Sequence, residues 1–133
     1  MPYEVSWKIP DKVLYVRAFG AVSSEDVEQI TQKMFDIINQ SPHDRVHLIS
    51  DSQDISDYPT NLNAIINAVK PLRQNSQIDL IVTVGNNGIA NFFSTVATKV
   101  TLNKNSKSAI SVEAAIDAIK SYDASCIVPS EEL

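Results

Sequence analysis

One cysteine, Cys126, occurs in 133 residues, so no intramolecular disulfide can form and stability must come from a packed core. A single cysteine also fits a reducing compartment. No apolar run approaches the ~20 residues that a helix needs to cross a bilayer, so membrane insertion is not expected. Residues 1–12 lack the basic and apolar regions of a secretory leader, and the expected location is cytoplasmic. In that location the Asn39-Gln40-Ser41 triplet has no meaning as a glycosylation acceptor. Glycine is scarce, three residues in all, and only Gly85 and Gly88 lie close together, so the three-glycine dinucleotide fingerprint is absent. Basic residues are outnumbered, eleven against sixteen acidic, for a formal charge of −5. That field repels phosphate backbones. The densest basic stretch, Lys99, Lys104 and Lys107, has no aromatic platform beside it, so no nucleic-acid partner is expected.

What is present is an ordinary globular composition, 44% hydrophobic and 20% charged, arranged in a definite order. Tyr3, Val5, Trp7 and Ile9 alternate with polar residues; after the turn Pro10-Asp11-Lys12, Val13, Tyr15, Arg17 and Phe19 face one way while Leu14, Val16 and Ala18 face the other. The short link predicts an antiparallel hairpin. Ser23 and Asp26 form an approximate capping box, and Val27, Ile30, Met34, Ile37 and Ile38 then recur at helical spacing over 24–40. A third strand is expected near 45–51, followed by a polar loop from Asp51 to Thr60. Leu62, Ile65, Ile66 and Val69 predict a second helix, which Pro71 limits. Ile78 to Val84 is the most apolar strand, expected at the centre with both faces covered. Gly85-Asn86-Asn87-Gly88 leads to a third helix carrying Phe92 and Phe93, a weak strand follows near 107–110, and Ser111 caps a fourth helix. The order ββαβαβαβα implies an α/β fold: a mixed, mostly parallel five-stranded sheet with about four helices, because strands separated by helices are joined by crossovers. A single domain is expected over 1–123, with 124–133 a partly mobile tail.

Three stretches carry a family resemblance. Phe19-Gly20-Ala21-Val22-Ser23-Ser24-Glu25-Asp26 resembles the strand-to-first-helix junction of the STAS-like fold, in particular the small bacterial domains grouped as SpoIIAA-like. Ile78 to Gly85 stands where that group has its apolar fourth strand, and Ser111-Val112-Glu113-Ala114-Ala115-Ile116 resembles the start of its last helix. The resemblance covers nearly the whole chain. Anti-sigma-factor antagonists of this fold carry a phosphorylatable Asp-Ser-Ser-Gly stretch before the second helix; here the stretch is Asp57-Tyr58-Pro59-Thr60-Asn61, with hydroxyls at Ser56 and Thr60. The resemblance implies a regulatory or binding module with no reaction attached.

Read as chemistry, the residues offer few alternatives. Asp51, Asp54 and Asp57 repeat every three residues at the end of a parallel strand, where carboxylates can hold Mg²⁺ or else simply make turns. A phosphate on Ser56 or Thr60 is favourably placed at a helix N-terminus, where Thr60 can equally be the cap. Gly85 and Gly88 can present amides to an anion or shape a turn. His43 and His47 are four apart but in loop and strand, so helical ligand geometry is absent and no metal is expected. No nucleophile–base pair can be assembled around Cys126. The expectation is therefore a non-enzymatic protein-interaction module, without cofactor, docking a partner through Ser56, Asp57, Tyr58 and Thr60 and the helix that follows. The alternative is a carrier for an apolar ligand in a crevice lined by Tyr58, Phe92 and Phe93. The open edge of the first hairpin makes a homodimer an expectation as well.

Overall fold

The hairpin forms as its alternation dictates: β1 (Tyr3–Ile9) pairs antiparallel with β2 (Val13–Ala21), Ser6 opposite Tyr15. Asp11 takes φ 61° in the connecting turn, a conformation that a short polar side chain tolerates. This computed structural model describes residues 3–58, 61–71, 77–85, 88, 95 and 105–126.

Helix α1 (Ser24–Ile38) opens on the predicted capping box: the Ser23 hydroxyl accepts the Asp26 amide at 3.1 Å, and the Asp26 carboxylate accepts the Ser23 amide at 2.9 Å. Strand β3 (Val46–Asp57) follows, then α2 (Leu62–Val69), β4 (Ile78–Val84), β5 (Asn105–Ala109) and α3 (Val112–Tyr122), which Ser111 caps as expected. The third predicted helix, with Phe92 and Phe93, lies outside the described residues. Strand order in the sheet is β1-β2-β3-β4-β5, with β2 to β5 mutually parallel.

Moving the same way across the sheet, the crossovers β2-α1-β3 and β3-α2-β4 leave their helices on one face. There Leu14, Val16, Leu48 and Ile81 pack with Ile30, Met34, Ile38 and Ile65. The other face carries Val13, Tyr15, Ile49, Leu80, Val82 and Val84 against Ala115 and Ile119 of α3. Strand β4 is covered on both sides as expected, but it lies between β3 and the edge strand β5, and the middle place goes to β3.

Two boundaries differ from expectation. Residues 51–57, read from sequence as loop, continue β3, because β2 runs on to Ala21 and offers Arg17 to Ala21 as pairing partners. Backbone pairing overrides the weak strand preference of Asp, Ser and Gln. The first residues of the expected tail, Ala124–Cys126, form a 3₁₀ turn that buries Cys126 completely.

Candidate functional site

Of the residues expected to dock a partner, Ser56 and Asp57 end β3 and Tyr58 follows them. Their arrangement follows from two register shifts against β2: Arg17 faces Asp51 and Phe19 faces Asp54, then Gly20 faces Ile55 and Ala21 faces Asp57. Each shift places an extra residue in β3, which kinks the strand and re-aims its side chains. Gly20, at φ +70°, supplies the backbone turn that the second shift requires.

The three aspartates part company as a result. Asp51 is buried and fully engaged: one oxygen accepts the Tyr15 hydroxyl at 2.5 Å, the other the Gln53 amide at 3.1 Å and its side-chain amide at 3.2 Å. Burial, then this hydrogen bond to a carboxylate, pushes the Tyr15 phenol well above its ordinary range. Asp54 is exposed and held by Arg17, Nη2 to Oδ2 at 2.9 Å. Asp57 is exposed and accepts the Tyr58 amide at 2.9 Å, while its carbonyl accepts the Val22 amide. They do not converge on a common point where a cation could sit.

Ser56 is exposed between Asp54 and Asp57. Tyr58 is half-buried and packs against the core of the α1–α2 face. Thr60 lies outside the described residues, and the cap expected of it is supplied by Asn61, whose side-chain oxygen accepts the Ala64 amide at 3.2 Å. Asn is among the best N-caps. Of the crevice residues, only Tyr58 is described; Phe92 and Phe93 are not. The Gly85 amide is spent on the Ala109 carbonyl at 2.9 Å and is not free for an anion.

A second polar constellation sits at the opposite, N-terminal end of the parallel strands. His47 is fully buried at the start of β3 and its Nε2 lies 2.9 Å from Asp123 Oδ2. The Leu80 amide donates to His47 Nδ1 at 3.2 Å, so Nδ1 is an acceptor and Nε2 carries the proton given to Asp123. Asp123 also accepts the Ser125 amide and hydroxyl at 3.0 and 2.6 Å, with Arg45 Nη1 at 3.7 Å. Burial by itself raises a carboxyl, but the bonds from His47 and Ser125 and the Arg45 charge outweigh it and hold Asp123 well below the carboxylate range. Above this pair, Arg45 binds Asp79 at 2.5 Å, and Tyr122 donates to Asp79 at 2.9 Å.

The ligand atoms of His47, Asp123 and Cys126 lie within 4.8 Å of one another, which raises the question of a metal. The donor set does not fit one. A metal-binding imidazole gives its other N–H to an acceptor, whereas here Nδ1 itself accepts a hydrogen bond from the Leu80 amide. Burial, then the Asp123 charge, pushes the Cys126 thiol up. The cluster fastens the end of α3 to the sheet. Sequence reading missed it because its partners are 76 residues apart and His47 sits in an apolar strand with no local signal.

Strand order, the antiparallel first member and the distribution of helices define the class: the chain has the SpoIIAA-like, STAS-like fold. An uncharacterized DUF3478-family protein with a SpoIIAA-like fold, from Shewanella loihica PV-4, matches with a TM-score of 0.61 and 17% identity over 87% of this chain and 90% of that one. The anti-sigma factor antagonist SpoIIAA in its unphosphorylated form matches with a TM-score of 0.59 and 16% identity, covering 90% and 96%. The phosphorylated form of the Bacillus cell fate determinant SpoIIAA matches at 0.56 and 18%, covering 88% and 98%. At these identities the likeness is one of fold. No protein-family model and no curated protein matches the sequence.

Proposed function

We propose that this protein is a non-enzymatic, cytoplasmic regulatory module that docks a partner protein through Ser56, Asp57, Tyr58 and Thr60 and the start of α2. The observation that carries the reading is the match to SpoIIAA over nearly its whole length, in a phosphorylated and an unphosphorylated form. Fold likeness is an analogy, and the local geometry adds to it. Ser56 offers an exposed hydroxyl between two exposed carboxylates, Asp54 and Asp57. A phosphate there adds nearly two negative charges to an already acidic strip, enough to repel a partner that tolerated the hydroxyl. The one group of three or more His, Cys, Asp or Glu side chains with converging ligand atoms among the described residues is buried and at the other end of the sheet.

The test is affinity capture with the wild-type protein, with Ser56→Glu/Thr60→Glu and with Asp54→Lys/Asp57→Lys, using Glu28→Lys on the exposed face of α1 as control. Partners retained by wild type and control but lost from the other two variants support the reading. An identical partner set for all four proteins removes it. The carrier alternative gains no particular support: Tyr58 is the one crevice residue described, and native mass spectrometry of freshly purified protein is its check.

A further inference from the structure

The outer edge of β1 is an open side of the sheet: β1 is one of its two terminal strands, and among the described residues nothing pairs with it beyond β2. Unpaired strand edges invite a further strand, and natural proteins blunt them with charge, bulges and proline. Here the edge residues are arranged in a way that suits one particular occupant. Glu4, Ser6 and Lys8 are exposed and share a face: Glu4 approaches Arg17 at 3.8 Å, Ser6 pairs with Tyr15, and Lys8 Nζ lies 4.6 Å from the Tyr15 ring centroid. On the opposite face Val5 and Trp7 are only half-buried and lean on the core shared with α1 and α2.

We propose that β1 pairs antiparallel with β1 of a second copy of this chain, about a two-fold axis through Ser6 and normal to the sheet. Such an axis keeps each residue on its own face and sets Ser6 opposite Ser6, Glu4 opposite Lys8 and Lys8 opposite Glu4 of the second copy. It also sets Val5 against Trp7 of the second copy on the helix side, extending the half-open rim of the core across the axis. The register is selective. An axis through Val5 puts Glu4 against Ser6, and one through Trp7 puts Lys8 against Ser6, so only the Ser6-centred pairing matches opposite charges. Opposite charges directly across an antiparallel pair are favourable and like charges unfavourable. The register shift between Trp7 and Ile9, followed by Pro10, ends the pairable edge just beyond Lys8. Both copies keep their helices on the same side, and the two sheets become one. The proposal is independent of the docking reading, since β2 separates this edge from β3.

Sedimentation equilibrium tests it with wild type, Glu4→Lys, Lys8→Glu and the double charge swap. Both positions are exposed, and circular dichroism with a melting curve confirms that each variant is folded. The wild type is expected to dimerise. Each single change places like charges opposite one another twice and is expected to weaken the dimer about tenfold or more, with the swap restoring it to within about threefold. Ser6→Cys is expected to cross-link on oxidation, because residues facing across the axis lie within disulfide reach, while Glu25→Cys on α1 is not. A wild type that stays monomeric at about 200 µM overturns the proposal. So does a dimer that neither single change weakens or that the swap fails to restore. A monomer in which the β1 amides that point away from β2 resist hydrogen exchange also overturns it, since another segment then occupies the edge.

Discussion

His47 and Asp123 show how much one buried contact can demand of a residue. The imidazole satisfies two groups at once, the Asp123 carboxylate through Nε2 and the Leu80 amide through Nδ1. His47→Ala leaves a buried carboxylate and a buried N–H without their partner, and is expected to cost about 3 kcal/mol, read from urea unfolding. Asp123 also sets an acid limb. Its carboxyl titrates lower in the folded protein than in the unfolded chain, so its contribution is complete above the unfolded value of roughly 4 and is lost as pH falls below it. Asp123→Asn should therefore flatten the fall of stability below pH ~4; an unchanged acid limb sinks the assignment. Tyr15 titrates the other way. Its phenol is held up, so the stability it confers is present below pH ~10 and fades above. Tyr15→Phe should remove that alkaline loss, at a cost of about 1–2 kcal/mol near neutrality because buried Asp51 loses a donor.

At the scale of the element, β3 is the instructive case. Its first half, Val46 to Ile49, is buried throughout and reads as strand from any viewpoint. Its second half carries Asp51, Ser52, Gln53, Asp54, Ser56 and Asp57, a composition that reads as loop. It is strand because β2 lies beside it and because the two register shifts let Asp51 turn inward to Tyr15 while Asp54 turns outward to Arg17. Gly20 makes the second shift possible at positive φ, with nothing within 4 Å of where a Cβ would stand. Gly20→Val should thus lower stability through backbone strain alone, by about 1–2 kcal/mol. It should also loosen the Ile55–Asp57 stretch, visible as faster amide exchange of those residues with β4 unchanged. Equal exchange in both strands would count against this account. The starts of α1 and α3, in contrast, were plain: Ser23 with Asp26, and Ser111, cap as their spacing foretold.

At the scale of the molecule, two cores share one sheet. Leu14 looks into the core under α1 and α2, and its neighbour Val13 into the core under α3. A backbone common to both faces cannot lose one core and keep the strands that build the other. Leu14→Ala and Ile119→Ala, one in each core, are each expected to cost about 2–5 kcal/mol. Both should shift a single urea transition without changing its slope. Two resolved transitions in either variant would mean that the cores are separable. The polar ends divide similarly: the exposed carboxylates and hydroxyl of the proposed docking strip lie at one end of the strands, and the buried His47–Asp123 pair lies at the other.

The ββαβ order, the antiparallel start, the buried β4 and the cap residues are all legible in the amino-acid sequence alone. They depend on periods of two and 3.6 and on single side chains reaching a few residues along the chain. The length of β3, the choice of Asn61 over Thr60 as cap, the parting of the three aspartates and the pairing of His47 with Asp123 are not. Each depends on what another segment places alongside, at a distance in sequence where local patterning has no reach. Side-chain periodicity reports which face a residue turns to; only tertiary packing decides what it meets there.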